Sequence, residues 1–157
     1  MRERGFTLVE MVVVIAIMVI LMAMATMQFS RMTRKSQIES QVRTLYADLM
    51  NARSEALLQK VDRSVKWTGT QFLVYPNSSA TDPPLRQTTL KYGVTTDIDF
   101  VSFDSRGVAS LSSPPMAVCV EPAGNPAAVD SIIIDRTMIQ MGKWNGGACS
   151  SANITRK

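Results

Sequence analysis

Between Phe6 and Phe29 the chain carries 24 residues of which 20 are apolar, and the fifteen from Met11 to Ala25 are apolar without interruption. Gly and Pro are absent from the stretch, so nothing in it breaks a helix. At 1.5 Å per residue such a helix is about 36 Å long, against a bilayer core of about 30 Å. The segment reads as a membrane helix. A cleaved secretory signal would use Arg2 and Arg4 as its basic end and Ala23-Met24-Ala25 as a small-x-small cleavage site. A plain single-pass anchor would also explain the length. Neither accounts for Glu10, a carboxylate four residues into the apolar run. At the centre of a bilayer such a charge costs about 2.5–3.5 kcal/mol and marks function by default, unless it lies near the headgroups.

Past the apolar run comes a basic collar of Arg31, Arg34 and Lys35. Ile38, Val42, Leu45, Leu49, Ala52 and Ala56 then recur at helical spacing, with Arg43, Asp48, Arg53 and Glu55 mostly off that stripe. No Pro or Gly occurs between Phe6 and Trp67, so one helix from Phe6 to about Val61 is expected, about 84 Å long. Its first half is apolar all round and its second half has one face to bury. A cleaved signal has no reason to continue in phase into an amphipathic helix.

Composition removes several function classes. There is no histidine, which excludes His-based triads, His-ligated metals and His pH switches. Two cysteines cannot form a four-cysteine zinc site. The net charge of +4 and pI near 9.3 invite a nucleic-acid reading. However, residues 1–35 hold five basic and two acidic side chains, and residues 36–157 hold twelve and eleven. The excess therefore lies in the N-terminal end and the collar. No GxSxG, P-loop or GxGxxG motif is present, so no catalytic residues and no cofactor are assigned. Asp97-Ile98-Asp99 sets two carboxylates on one side of a strand, which would suit a metal but more often marks a solvated face. Six of the eleven methionines, from Met11 to Met32, read as flexible apolar packing. Trp67 and Trp144 read as sheet-packing residues.

The N-terminus resembles a type IV prepilin. The short charged leader Met1-Arg2-Glu3-Arg4-Gly5 is followed by Phe6-Thr7-Leu8-Val9-Glu10-Met11, matching that family's G-F-T-L-x-E pattern with the apolar helix directly behind. The resemblance implies cleavage by a prepilin peptidase between Gly5 and Phe6 and N-methylation of Phe6. It also implies that Glu10 pairs with the Phe6 amine of a neighbouring subunit in a filament. A buried carboxylate that gains a cationic partner stays charged, whereas an unpaired one is strongly penalised. Val42-Arg43-Thr44-Leu45 through Asn51-Ala52-Arg53-Ser54-Glu55-Ala56 resembles the helix end of GspH/FimT-type minor pilins and pseudopilins, and Phe100 to Gly107 resembles that group's hairpin. One departure concerns the membrane helix. Many major pilins carry Gly and Pro there, where Val19 and Met27 stand here, so local melting is not carried over.

Beyond Val65 the period becomes alternating. Strands are expected at 71–75, 88–92, 98–103, 108–111, 116–120, 131–135 and 137–141, the last two as a tight hairpin around Arg136. The expected class is α+β, a long N-terminal helix packed on an antiparallel sheet or small sandwich, as in the type IV pilin fold. The parts are a leader (1–5), a transmembrane half (6–29), an amphipathic half (30–61) and a β-rich head (62–157). Cys119 and Cys149 are either unrelated thiols or a disulfide closing a 31-residue loop, worth about 3.7 kcal/mol. With the head outside the inner membrane, the disulfide is the expected form.

The resemblance implies a structural subunit, a minor pilin in a type IV pilus, and no enzyme. Its partners would be other pilins, the prepilin peptidase and the inner-membrane assembly platform. It would sit in the inner membrane with its head in the periplasm before joining the filament. A pseudopilin of a type II secretion system shares these features. A DNA-binding minor pilin is the rival of another class. Some FimT-type proteins bind DNA through a Gly-Arg-rich C-terminal hairpin, where this chain offers Arg136 and Lys143 without a Gly-Arg cluster.

Overall fold

A computed structural model of the chain describes residues 7–112 and 114–157, and of residues 24–27 the backbone alone. Helix α1 runs Leu8–Gln59, 52 residues and about 78 Å. Thr7 caps it in extended conformation, its Oγ1 accepting the Glu10 backbone N–H at 3.2 Å. At the far end Lys60 turns left-handed (φ 56°), and its N–H and that of Val61 share the Ala56 carbonyl. That turn stops the helix two residues short of the expected Val61. All six stripe residues, Ile38 to Ala56, are no more than 1% exposed. The large apolar side chains from Leu8 to Met22 are 41–80% exposed. One helix thus has a bare half and a half docked in a core.

Ten short strands follow: β1 Arg63–Thr68, β2 Gln71–Tyr75, β3 Arg86–Thr89, β4 Val94–Thr96, β5 Phe100–Phe103, β6 Ala109–Ser110, β7 Met116–Val120, β8 Ser131–Ile134, β9 Ile139–Trp144 and β10 Ile154–Arg156. They form two antiparallel sheets of five strands, ordered β3-β2-β1-β5-β6 and β10-β9-β8-β7-β4. In the first sheet Val65 sits between Val74 and Val101. The stripe of α1 meets the inner faces of both sheets, so Val65, Phe72, Val101 and Phe103 share one core with Met116, Val118, Ile132 and Ile134. Burying a Leu or Phe side chain of this kind stabilises by about 1.5–3 kcal/mol.

The second sheet is covered on its outer face as well. Ala117, Cys119 and Ile133 pack there with Trp144, Cys149 and Ile154. Every residue of β7 and β8 is consequently buried, which is why Met116–Val120 reads as an unbroken apolar run and not an alternating one.

The expected strands 71–75 and 116–120 match β2 and β7, and the others differ in extent. β3 lies two to three residues before the expected 88–92, and β5, β6 and β8 are shorter than their expected spans. Asp97 and Asp99 are not on a strand but in the link between β4 and β5. The 131–141 hairpin turns through Asp135 to Met138, closed by Asp135 N–H donating to the Met138 carbonyl at 2.7 Å, so β9 starts at Ile139 and reaches Trp144. β1, β4 and β10 complete the sheets beyond the expected set. Gly142 in β9 is required by close approach: a Cβ there would lie 2.3 Å from Ile154 Cγ2 and 2.9 Å from the Thr155 carbonyl of β10.

Candidate assembly site

Gly5 and Phe6, the expected cleavage and methylation positions, lie outside the described residues, as does the rest of the leader. Glu10 is exposed in the first turn of α1, close to the positive end of the helix dipole. Its backbone is tied to Thr7, which fixes the start of the helix just ahead of the acid. Around it Leu8, Val9, Met11, Val12 and Val13 are more than half exposed. A carboxylate in such a surface, once buried against another helix, demands a cationic partner. The helix is long and apolar enough to cross a membrane, with none of that span buried in the head.

Polar ties fix how this rod leaves the head. The Gln41 amide bonds both sides of the Tyr92 backbone, its Nε2 donating to the carbonyl at 2.8 Å and its Oε1 accepting the N–H at 2.9 Å. The Tyr92 hydroxyl donates to Gln37 Oε1 at 2.9 Å. Glu39 Oε1 accepts the Ala128 N–H at 2.8 Å. Arg53 Nε donates to the Gly107 carbonyl at 2.8 Å. A Cβ on Gly107 would press on Leu57 at 3.3 Å and Arg53 Cγ at 3.5 Å. The two segments that carried the GspH/FimT-type resemblance, 42–56 and 100–107, therefore meet directly at Arg53 and Gly107. Gln41 and Glu39 were not among the sequence candidates. As polar residues flanking an apolar stripe, they carry no sequence signal that separates a clamp from a solvated position.

The hairpin turn at Gly107 is held by Asp104. Its Oδ1 accepts the Arg106 and Val108 N–H groups at 2.9 Å each, and its Oδ2 accepts the Arg106 guanidinium at 2.8 and 3.0 Å. The Val108 backbone N–H, followed by the Arg106 side chain, holds the Asp104 carboxyl below its usual 3.8.

Cys119 and Cys149 are bonded to each other, with Cα atoms 5.9 Å apart. The bond pins the 145–153 tail over the outer face of the second sheet, beside Trp144. Trp67 packs on Phe72 with ring centroids 5.7 Å apart. Both tryptophans are buried sheet residues, at 2% and 6% exposure.

The remaining candidates are scattered. Asp97 Oδ1 accepts the Ala117 N–H at 3.0 Å, and Asp99 lies 4.0 Å from Lys66 Nζ. Among the described residues no group of three acidic or cysteine side chains is placed to hold a metal. Arg136 is exposed at the β8–β9 turn. Lys143, one strand away, is committed inward: its Nζ lies 2.5 Å from Asp130 Oδ2 and donates to the Asn125 carbonyl at 2.9 Å. Asp130 is fully buried, and its other oxygen accepts the Trp144 N–H at 2.6 Å. The structure therefore does not join Arg136 and Lys143 into one basic surface.

Residues 1–26 match the prokaryotic N-terminal methylation motif. No curated protein sequence matches the chain. Among solved structures, the type IV minor pilin FimU of Pseudomonas aeruginosa strain PAO1 is similar in two crystal forms. One superposes with a TM-score of 0.58 at 17% identity over 78% of this chain and 96% of that one. The other gives 0.54 at 18% identity over 74% and 96%. In N-terminal motif and in fold, the chain is a type IV pilin-like protein.

Proposed function

We propose that the chain is a minor pilin, a structural subunit that enters a type IV pilus through its N-terminal helix after cleavage at Gly5-Phe6 and methylation of Phe6. The observation that carries this is the bare half of α1. A side chain set such as Leu8–Met22, exposed along its length with a single acid at Glu10, needs either lipid or other helices around it. A filament core of packed N-terminal helices provides the second. There the Phe6 amine of a neighbouring subunit would neutralise Glu10. The docked half, with its Gln41, Glu39 and Arg53 ties, transmits the position of the rod to the head. The fold likeness to the minor pilin FimU is in keeping with this reading, and a secretion pseudopilin would share that fold.

The test is Glu10→Ala beside Glu10→Gln, which keeps the shape and removes the charge. Both variants are expected to remain in the membrane fraction at wild-type level and to be missing from sheared filaments. Normal incorporation of either one sinks the pairing role. Recovery of the wild-type chain with type II secretion components, and not with pilus fibres, would make it a pseudopilin.

A further inference from the structure

We propose that Arg31 and Arg34 form a binding site for the phosphate of an anionic phospholipid, which seats the head on the bilayer surface before the subunit is extracted. The inference rests on the membrane-anchored reading of α1. Three observations carry it. First, the position is set by helix geometry: Glu10 to Phe29 spans about 28 Å at 1.5 Å per residue, close to the bilayer core of about 30 Å. With Glu10 at one interface, Arg31 and Arg34 fall in the headgroup layer of the other. Second, the two guanidinium groups are exposed and make no ion pair or hydrogen bond among the described residues. Lys35, the third member of the collar, lies 4.0 Å from Glu39. Third, Arg31 and Arg34 line a cavity of about 360 Å³ together with Ser30 from the helix and Gly124 and Pro126 from the β7–β8 loop.

The site therefore has two walls. The helix supplies the charge, and the head supplies a small-residue loop whose Pro122, Ala123, Gly124 and Pro126 are exposed with no charge among them. Glu39, the nearest acid on the helix, has one oxygen occupied by the Ala128 N–H and faces Lys35. A phosphodiester in the cavity would accept from both guanidinium groups, while its acyl chains enter the bilayer beside the apolar half of the helix. Juxtamembrane basic residues favour anionic lipid by about fivefold each, so the pair is expected to prefer phosphatidylglycerol over phosphatidylcholine by about 30-fold at this site. On extraction the lipid phosphate would be left behind.

The test uses the full chain reconstituted in phosphatidylcholine bilayers containing a minority of phosphatidylglycerol. Spin-labelled forms of each lipid measure the selectivity, and a fluorophore on Ala123→Cys reports whether the loop meets the headgroups. Alkaline extraction checks insertion separately, so failure of the membrane reading is seen as loss of the protein from the bilayer. The expected result is selectivity for phosphatidylglycerol that Arg31→Gln/Arg34→Gln abolishes without changing insertion, and that millimolar inorganic phosphate does not compete away. Equal selectivity in wild type and double variant overturns the proposal. Efficient competition by inorganic phosphate overturns the lipid assignment in favour of a free-anion site. A loop signal that rises only with protein density, and not with phosphatidylglycerol content, overturns it in favour of a subunit contact.

Discussion

At the scale of single residues, charge is placed by what the local backbone can offer it. Asp104 illustrates this outside the membrane segment. Two backbone N–H groups and a guanidinium converge on its carboxylate, so the charged form is favoured and its pKa lies below 3.8. A depressed carboxylate contributes stability in full above its ordinary pKa and loses it as pH falls through the lower folded value. The β5–β6 turn is therefore expected to release its Asp104 hydrogen bonds only in stronger acid than an ordinary aspartate would need. A side-chain carboxyl titration by NMR should place the midpoint below 3.8. In Arg106→Gln it should rise but stay depressed, because the Val108 N–H is the larger cause. A midpoint at the ordinary value in the wild type would contradict the turn geometry. Lys143 shows the converse. Its sequence position, seven residues after Arg136, suggests a basic hairpin, yet buried Asp130, thirteen residues before it, captures it.

At the scale of elements, the disulfide and the tail it holds behave as a detachable layer. The inner core depends on α1, whereas the outer cluster is closed over by residues 145–153, whose hold on the sheet includes Cys119–Cys149. Reduction, or Cys119→Ser, is expected to cost about 3–4 kcal/mol. The loss should be accompanied by a red shift of Trp144 emission while the helix content stays unchanged. Unfolding of the whole head at the same midpoint would show that the two layers are one cooperative unit. Legibility in the sequence follows the same division. The stripe from Ile38 to Ala56 could be read because a helix repeats its period over five turns, and β7 because it is apolar on both faces. The three-residue strands β4 and β10 contain too few positions to show a period. β1 escaped although Val65 and Trp67 alternate with Ser64 and Lys66 in a strand's period; only the burial of Ser64, whose hydroxyl donates to the Asn77 carbonyl at 2.7 Å, departs from that pattern. The clamp of Gln41 on Tyr92 joins residues 51 apart, a distance at which no local pattern informs. In the candidate assembly site, Glu10 stands out in the sequence because an acid in an apolar run is costly away from the headgroups.

At the scale of the whole molecule, the rod and the head divide both the apolar surface and the charge. The head and the docked half of α1, residues 36–157, carry twelve basic and eleven acidic side chains, so the +4 of the chain belongs mainly to its N-terminal end. Some of the head's basic groups are further spent internally: Arg63 and Arg86 lie 3.7 and 3.8 Å from Glu55, and Lys143 lies 2.5 Å from Asp130. A duplex-binding surface needs several free cations aligned along one face, since affinity grows with each phosphate neutralised. Arg136 at the β8–β9 turn shares a surface recess with Arg106, whose guanidinium is already paired with Asp104 at 2.8 Å. The full chain in neutral detergent is therefore expected to retard duplex DNA weakly, with the shift gone by about 150 mM salt, and Arg136→Ala is expected to change it little. An electrophoretic shift that stays tight at that salt and collapses in Arg136→Ala would reverse the assignment, making the hairpin a DNA-reading element and the subunit a participant in uptake.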